Sequence, residues 1–245
     1  MTDKKTPLAA RFYIDIVLAV GFWVWISAGL QHSFRHGLLF FSCLVVALFA
    51  ATLKVRLPGI DGTFSLGFVG SLVAVQELDF AEAVVVGTLV AVTQCLWRPE
   101  RRPTTIQVAF NAANVANSTT VAYGVYRGFL SSSPDSCSLV LLAAAAAFYV
   151  VNTGTVASLL CLLERKPLAQ MVEHWGVWSF SYYLAGALLA VSVQSIAGLP
   201  LVPLVLLFPL LIAHVVYRRY IKCQTESEGS RSFTDGEARV PAKHV

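Results

Sequence analysis

Long apolar stretches separated by short polar segments dominate the pattern of this chain. Most of them are close in length to the about 20 residues that an α-helix needs to cross the hydrocarbon core of a bilayer. The third stretch is the shortest; if it is re-entrant or merges with the fourth, the number of spans falls to seven. We therefore predict an all-α membrane bundle of about eight transmembrane helices. The predicted helices are Phe12–Leu30, Gly37–Leu53, Phe64–Val75, Phe80–Trp97, Ile106–Tyr126, Leu139–Leu163, Val177–Ile196 and Leu199–Tyr217.

The composition agrees with a lipid environment. Hydrophobic residues make up 56% of the 245 residues and charged residues only 13%. Soluble domains carry about 25% charged residues. Half of that charge leaves too little polar surface to cover a globule, so lipid must replace water over much of the chain.

The positions of the basic residues predict the topology. Cytoplasmic loops carry an excess of Lys and Arg. The N-terminal segment, the loops 54–63, 98–105 and 164–176 and the C-terminal tail hold all but two of the 18 Lys and Arg residues. The exceptions, Arg35 and Arg127, fall on the opposite side. We therefore expect a cytoplasmic segment 1–11, a transmembrane bundle 12–217 and a cytoplasmic, disordered tail 218–245, in the inner (plasma) membrane.

The fifth predicted helix is unusually polar. Four of its side chains recur at spacings of four, three and four residues, which places them on one helical face. Buried amides need partners, so this face should point into the bundle. Two explanations remain open: hydrogen bonds between helices, which are common in membranes, and a polar cavity for a small ligand. With candidate partners on neighbouring helices, the predicted ligand-binding residues are Gln94, Gln107, Asn111, Asn114, Ser118 and Asn152.

Several kinds of chemistry are not indicated by the sequence. Five scattered cysteines without a CxxC spacing argue against disulfides and a zinc site. His32 and His36 could meet the acidic residues near Glu77, although solvated loops explain them better. Common enzyme motifs are missing, and the basic residues form no single patch for nucleic acid. We therefore expect no enzyme activity, cofactor, metal or nucleic-acid partner.

Three segments resemble a known group of membrane domains. They are LKVRLPGIDGTFSLGF (Leu53–Phe68), QCLWRPERRPTTIQVAFNAAN (Gln94–Asn114) and YRRYIK (Tyr217–Lys222). They are similar to the N-terminal multi-pass membrane sensor (MASE-like) domains of bacterial signalling proteins, and the resemblance covers most of residues 11–222. In those proteins a cytoplasmic HD-type phosphohydrolase or diguanylate cyclase domain follows, whereas this chain ends in a short tail.

The resemblance implies a non-enzymatic, stand-alone sensor. Such a domain would bind a small neutral ligand or respond to membrane lipid, and would signal through a partner protein. Such domains also broadly resemble the small-molecule-binding subunits of vitamin uptake systems. A transporter, or the substrate-binding subunit of an uptake system, is therefore the alternative.

Overall fold

The structure is a computed structural model. The described residues are 7–31, 37–55, 64–99, 102–130, 137–164, 180, 183–192, 204–205, 207–212, 215 and 219. The helices are α1 (Leu8–Leu30), α2 (Gly37–Thr52), α3 (Gly67–Glu77), α4 (Phe80–Leu96), α5 (Thr105–Leu130), α6 (Cys137–Glu164) and α7 (Tyr183–Ser192). Apart from two short strands, the regular structure of the described residues is helical, which confirms the predicted all-α class.

The chain divides into two compact units. The first unit is Met1–Leu207 and contains α1–α7. The second unit is Phe208–Val245, of which residues 208–212, 215 and 219 are described, all of them helical. The predicted disordered tail, and much of the last two predicted helices, lie outside the described residues.

The third predicted helix begins later than the sequence pattern indicates. Two short antiparallel strands, β1 (Lys54–Val55) and β2 (Phe64–Ser65), pair just before it. The Leu66 N–H donates to the Leu53 carbonyl at 3.3 Å, which holds this segment against the end of α2. The predicted start at Phe64 is therefore wrong, because these backbone groups bond to the preceding segment instead of to a helical turn. The remaining 11 residues of α3 extend about 16 Å, which is less than the hydrocarbon core of about 30 Å.

Helix α5 lies at the centre of the first unit. It packs against α1, α3, α4 and α6, and it buries residues on several faces. A helix in this position must place its polar side chains between other helices. The polar composition of α5 is therefore the main determinant of the chemistry inside the bundle.

Small residues bring several helices unusually close together. An added Cβ at three glycines would lie far inside ordinary contact distance of the facing helix. Membrane helices commonly pack through small residues in this way, because close backbone approach gains van der Waals contact that lipid cannot provide. The contacts are Gly21 with Ala113 between α1 and α5, Gly70 with Ala47 between α3 and α2, and Gly87 with Thr119 between α4 and α5.

Two helices among the described residues are long and apolar enough to cross a membrane. They are α1 and α6; α2, α4 and α7 are also apolar but shorter. Only a narrow stripe of α1 is buried, while Phe12, Phe22 and Trp23 are each about two-thirds exposed, at 67%, 69% and 68%. Exposed apolar surface of this size usually marks contact with a partner or a membrane, and it supports a lipid-facing role for α1.

Candidate functional site

The polar face of α5 meets α6 at a pair of asparagines, the buried Asn114 and the half-buried Asn152. Asn114 is 1% exposed. Its amide nitrogen donates to the side-chain oxygen of Asn152 at 2.8 Å and to the Asn152 backbone carbonyl at 3.2 Å. The predicted hydrogen bond from Asn114 to another helix is thus present, and the predicted partner on α6 is the residue that receives it.

Asn152 extends this contact to α7. Its amide nitrogen donates to the hydroxyl of Tyr183 at 2.7 Å, and Tyr183 is itself buried. Three helices are therefore joined by a continuous chain of hydrogen bonds between side chains. We call Asn114, Asn152 and Tyr183 the asparagine node.

Aromatic rings surround the α7 end of the node. The ring of Tyr183 lies 4.2 Å from that of Phe68, 6.2 Å from Phe148 and 5.0 Å from Tyr149, measured between centroids. Phe68 and Phe148 are also 5.1 Å apart. The rings come from α3, α6 and α7, so the polar node adjoins a ring cluster contributed by three helices.

The node leaves one polar atom without a partner. The side-chain oxygen of Asn114 is buried and accepts no hydrogen bond from the part of the chain that the structure describes. A buried polar atom of this kind costs about 1–3 kcal/mol when its partner is missing. A hydrogen-bond donor placed against the Asn114 oxygen would therefore contribute more free energy than one placed at any other atom of the node.

Two further polar atoms of α5 lack partners in the described structure, but they belong to other interfaces. The Asn117 amide nitrogen donates to the Val17 carbonyl of α1 at 3.4 Å, and its side-chain oxygen is unpartnered. The hydroxyl of Thr119, also unpartnered, lies at the close approach of α5 to Gly87 of α4. Their contacts are with α1 and α4, whereas Asn114 bonds to α6, so these atoms do not belong to the node.

The remaining predicted site residues do not join the node as one stripe. Asn111 donates to the Cys95 sulfur of α4 at 3.3 Å, as expected of a bond between helices. Gln94 donates to Ser65 at 2.5 Å, near the strand pair. The Ser118 hydroxyl donates to the Asn114 carbonyl of its own helix at 2.8 Å.

Gln107 caps the start of α5. Its side-chain oxygen accepts from the Thr104 N–H at 2.9 Å, and its own N–H donates to the Thr104 hydroxyl at 3.4 Å. This reciprocal arrangement is a capping box, which satisfies backbone donors that a helix start leaves open. Gln107 is exposed and lies about two turns before Asn114 along α5, so its described role is structural.

The sequence analysis missed Tyr183 and the aromatic rings. A signal was available on α6, where Phe148 and Tyr149 precede Asn152 by four and three residues and therefore lie beside it on one face. No comparable signal identifies Tyr183, because its contact with Asn152 depends on how α6 and α7 pack.

The acidic turn between α3 and α4 is organised by hydrogen bonds. Asp79 and Glu82 form a capping box at the start of α4, and Arg127 of α5 donates to the Leu78 carbonyl at 3.0 Å. The guanidinium of Arg127 also lies 5.2 Å from the centre of the Tyr123 ring. In the described ranges no group of three His, Cys, Asp or Glu side chains is placed to hold a metal ion; His32 and His36 lie outside those ranges.

Comparison with known proteins adds no assignment. Among protein-family models, curated proteins and solved structures, none matches this chain. The resemblance to membrane-associated sensor domains therefore stays a prediction.

Proposed function

We propose that this chain is a multi-pass protein of the inner (plasma) membrane with about eight spans and both termini in the cytoplasm. The distribution of Lys and Arg supports this topology. Close helix packing through small residues and the exposed aromatic side chains of α1 support a membrane environment. In this arrangement β2 and α3 together form the third span.

The proposed role is that of a non-enzymatic sensor domain with a small neutral ligand. One observation carries this proposal: a buried chain of hydrogen bonds joins three helices and retains an open acceptor at Asn114. Ligand sites usually combine an apolar lining with a few convergent polar groups. The aromatic rings and the asparagine node have this combination, and a ligand bound there would contact α5, α6 and α7 at once.

The first experiment locates the ligand site. Purified full-length protein is screened for thermal stabilisation by neutral metabolites and lipids, and each hit is repeated with Asn114→Leu and Asn111→Leu. Both variants remove an amide of α5 that bonds to another helix, but only Asn114 belongs to the node. We expect the stabilisation to be lost in Asn114→Leu and kept in Asn111→Leu; equal stabilisation of wild type and Asn114→Leu would place the site elsewhere.

The second experiment tests the topology. The five native cysteines are replaced, and single cysteines are introduced by Glu100→Cys and Asp79→Cys. A membrane-impermeant thiol reagent added to intact cells should label position 79 and spare position 100. Labelling of position 100 alone would invert the proposed orientation.

The third experiment distinguishes a sensor from a transporter. The tagged protein is purified from its native membrane under mild conditions, and the co-purifying proteins are identified. A signalling enzyme of the HD or cyclase class would support the sensor, whereas a pair of ATPase subunits would identify an uptake system.

A further inference from the structure

The charge distribution of the described helices restricts the ligand of the node. Every Asp, Glu, Lys and Arg side chain of helices α1–α7 lies within about two turns of a helix end, Asp15 of α1 being the furthest inside. A charged ligand at the node would have no countercharge, and an unpaired charge in an apolar interior is strongly disfavoured. The charged residues of these helices are Arg11, Asp15, Glu77, Glu82, Arg127 and Glu164.

The hydrogen bonds of the node restrict the ligand further. The Asn114 amide nitrogen is already bound to Asn152, and the Asn152 amide nitrogen is bound to Tyr183. The open atom is the side-chain oxygen of Asn114, which can only accept a hydrogen bond. A ligand that satisfies this atom must therefore supply an O–H or N–H group.

The rings beside the node indicate the shape of the rest of the ligand. Phe68, Phe148 and Tyr183 approach one another at tilted angles with centroids 4.2 to 6.2 Å apart. Aromatic rings favour such offset or edge-to-face arrangements with a further ring. A flat apolar body would extend this cluster, whereas a sugar-like body would place hydroxyl groups against apolar rings.

We propose that the asparagine node, flanked by Phe68, Phe148 and Tyr149, binds a neutral molecule that joins one hydrogen-bond donor to a flat apolar body, as phenols and indoles do. This inference rests on the proposed function, because it names the ligand class of the same site. The donor faces the Asn114 oxygen and the flat body enters the ring cluster. All of these groups are largely buried, so the helices must separate to admit the ligand, and association should be slower than free diffusion allows.

Matched probes test the ligand class with the unaltered protein. Phenol is compared with anisole and indole with 1-methylindole, since each second member keeps the flat body and loses the donor. The full-length protein is purified in detergent, and thermal stabilisation is measured against probe concentration. We expect phenol and indole to bind about tenfold more tightly than their capped partners, the effect of one buried hydrogen bond.

Three variants locate the effect and separate the two proposals. In Asn114→Leu the preference for the donor probes should disappear, while Asn111→Leu should keep it. If Asn114→Leu does not fold, Phe148→Leu can be used instead. It should weaken the binding of both members of each probe pair to the same extent. If the capped and uncapped probes bind equally tightly, and the binding of both is lost in Asn114→Leu, the proposed ligand class is refuted but the proposed site is not.

Other outcomes overturn the inference in distinct ways. Binding of the probes that is the same in wild type, Asn114→Leu and Phe148→Leu would refute the site itself, and with it the proposed function. If no phenol or indole stabilises the protein while another neutral molecule does so through Asn114, the class alone is refuted. Absence of stabilisation by every molecule tested would refute both proposals.

Discussion

The contact between α2 and α3 provides a direct test of the helix packing. A Cβ added at Gly70 would lie 2.5 Å from the Ala47 Cβ and still closer to the Ala47 Cα. Carbon atoms in ordinary contact are about 3.5–4.0 Å apart, so Gly70→Ala would require the two helices to separate by about 1 Å. Both residues are buried, and overpacking of this kind costs about 1–3 kcal/mol.

The higher helix propensity of alanine stabilises Gly70→Ala and therefore opposes the overpacking cost. A matched control is needed to separate the two effects. Alanine favours a helix over glycine by about 0.5–1 kcal/mol. Gly154 of α6 is exposed, and a Cβ there would meet nothing within 4 Å. Gly154→Ala should therefore show the propensity gain alone, and the difference between the two variants should equal the overpacking cost of about 1–3 kcal/mol.

The free energy of unfolding can be compared by titrating the purified proteins with a denaturing detergent while following helical circular dichroism. We expect Gly70→Ala to unfold at a lower denaturant fraction than wild type, and Gly154→Ala at an equal or higher one. If the two variants are equally stable, Gly70 does not face Ala47 across a close contact. Small residues would then not set the distance between α2 and α3.

Three further substitutions test individual contacts by the same unfolding measurement. Asn152→Leu removes the acceptor of Asn114 and the donor to Tyr183 and should destabilise by about 0.6–2 kcal/mol per lost bond; unchanged stability would show that the two amides are not paired. Thr104→Ala removes one half of the capping box with Gln107, so it should cost about 0.5–2 kcal/mol and speed amide exchange in the first turn of α5; unaltered exchange would contradict the cap. Arg127→Gln should cost about 1 kcal/mol through the lost bond to the α3–α4 turn and the lost ring contact, and an equally stable variant would rule out that anchor.

Much of the helical arrangement could be predicted from the sequence because it depends on local patterns. Apolar runs bounded by polar or glycine-containing segments identify α1, α2 and α4 with small errors at their ends. The error at Phe64 has a different origin. The β-type pairing of this segment with Lys54–Val55 is a contact between separate parts of the chain, and an apolar run alone does not distinguish it from a helix start.

The candidate site could be predicted only in part. The spacing of Asn111 and Asn114 correctly indicates that both amides bond to other helices, because unpaired amides are costly in an apolar interior. Spacing does not indicate which helix each amide meets. Asn111 reaches α4 and Asn114 reaches α6, since α5 has neighbours on several sides. The predicted single stripe is therefore divided between two interfaces.

Hydrogen bonding between helices and a ligand site are two explanations of the polar residues of α5, and they differ in what they predict for individual atoms. If the amides served only to join helices, each polar atom should find a partner, as the Asn111 nitrogen does. The Asn114 nitrogen fits that explanation, but the Asn114 oxygen does not. A donor from a buried water or from a ligand would satisfy this oxygen. The probe pairs distinguish the two, because only a binding site at Asn114 makes phenol bind more tightly than anisole and loses that preference in Asn114→Leu.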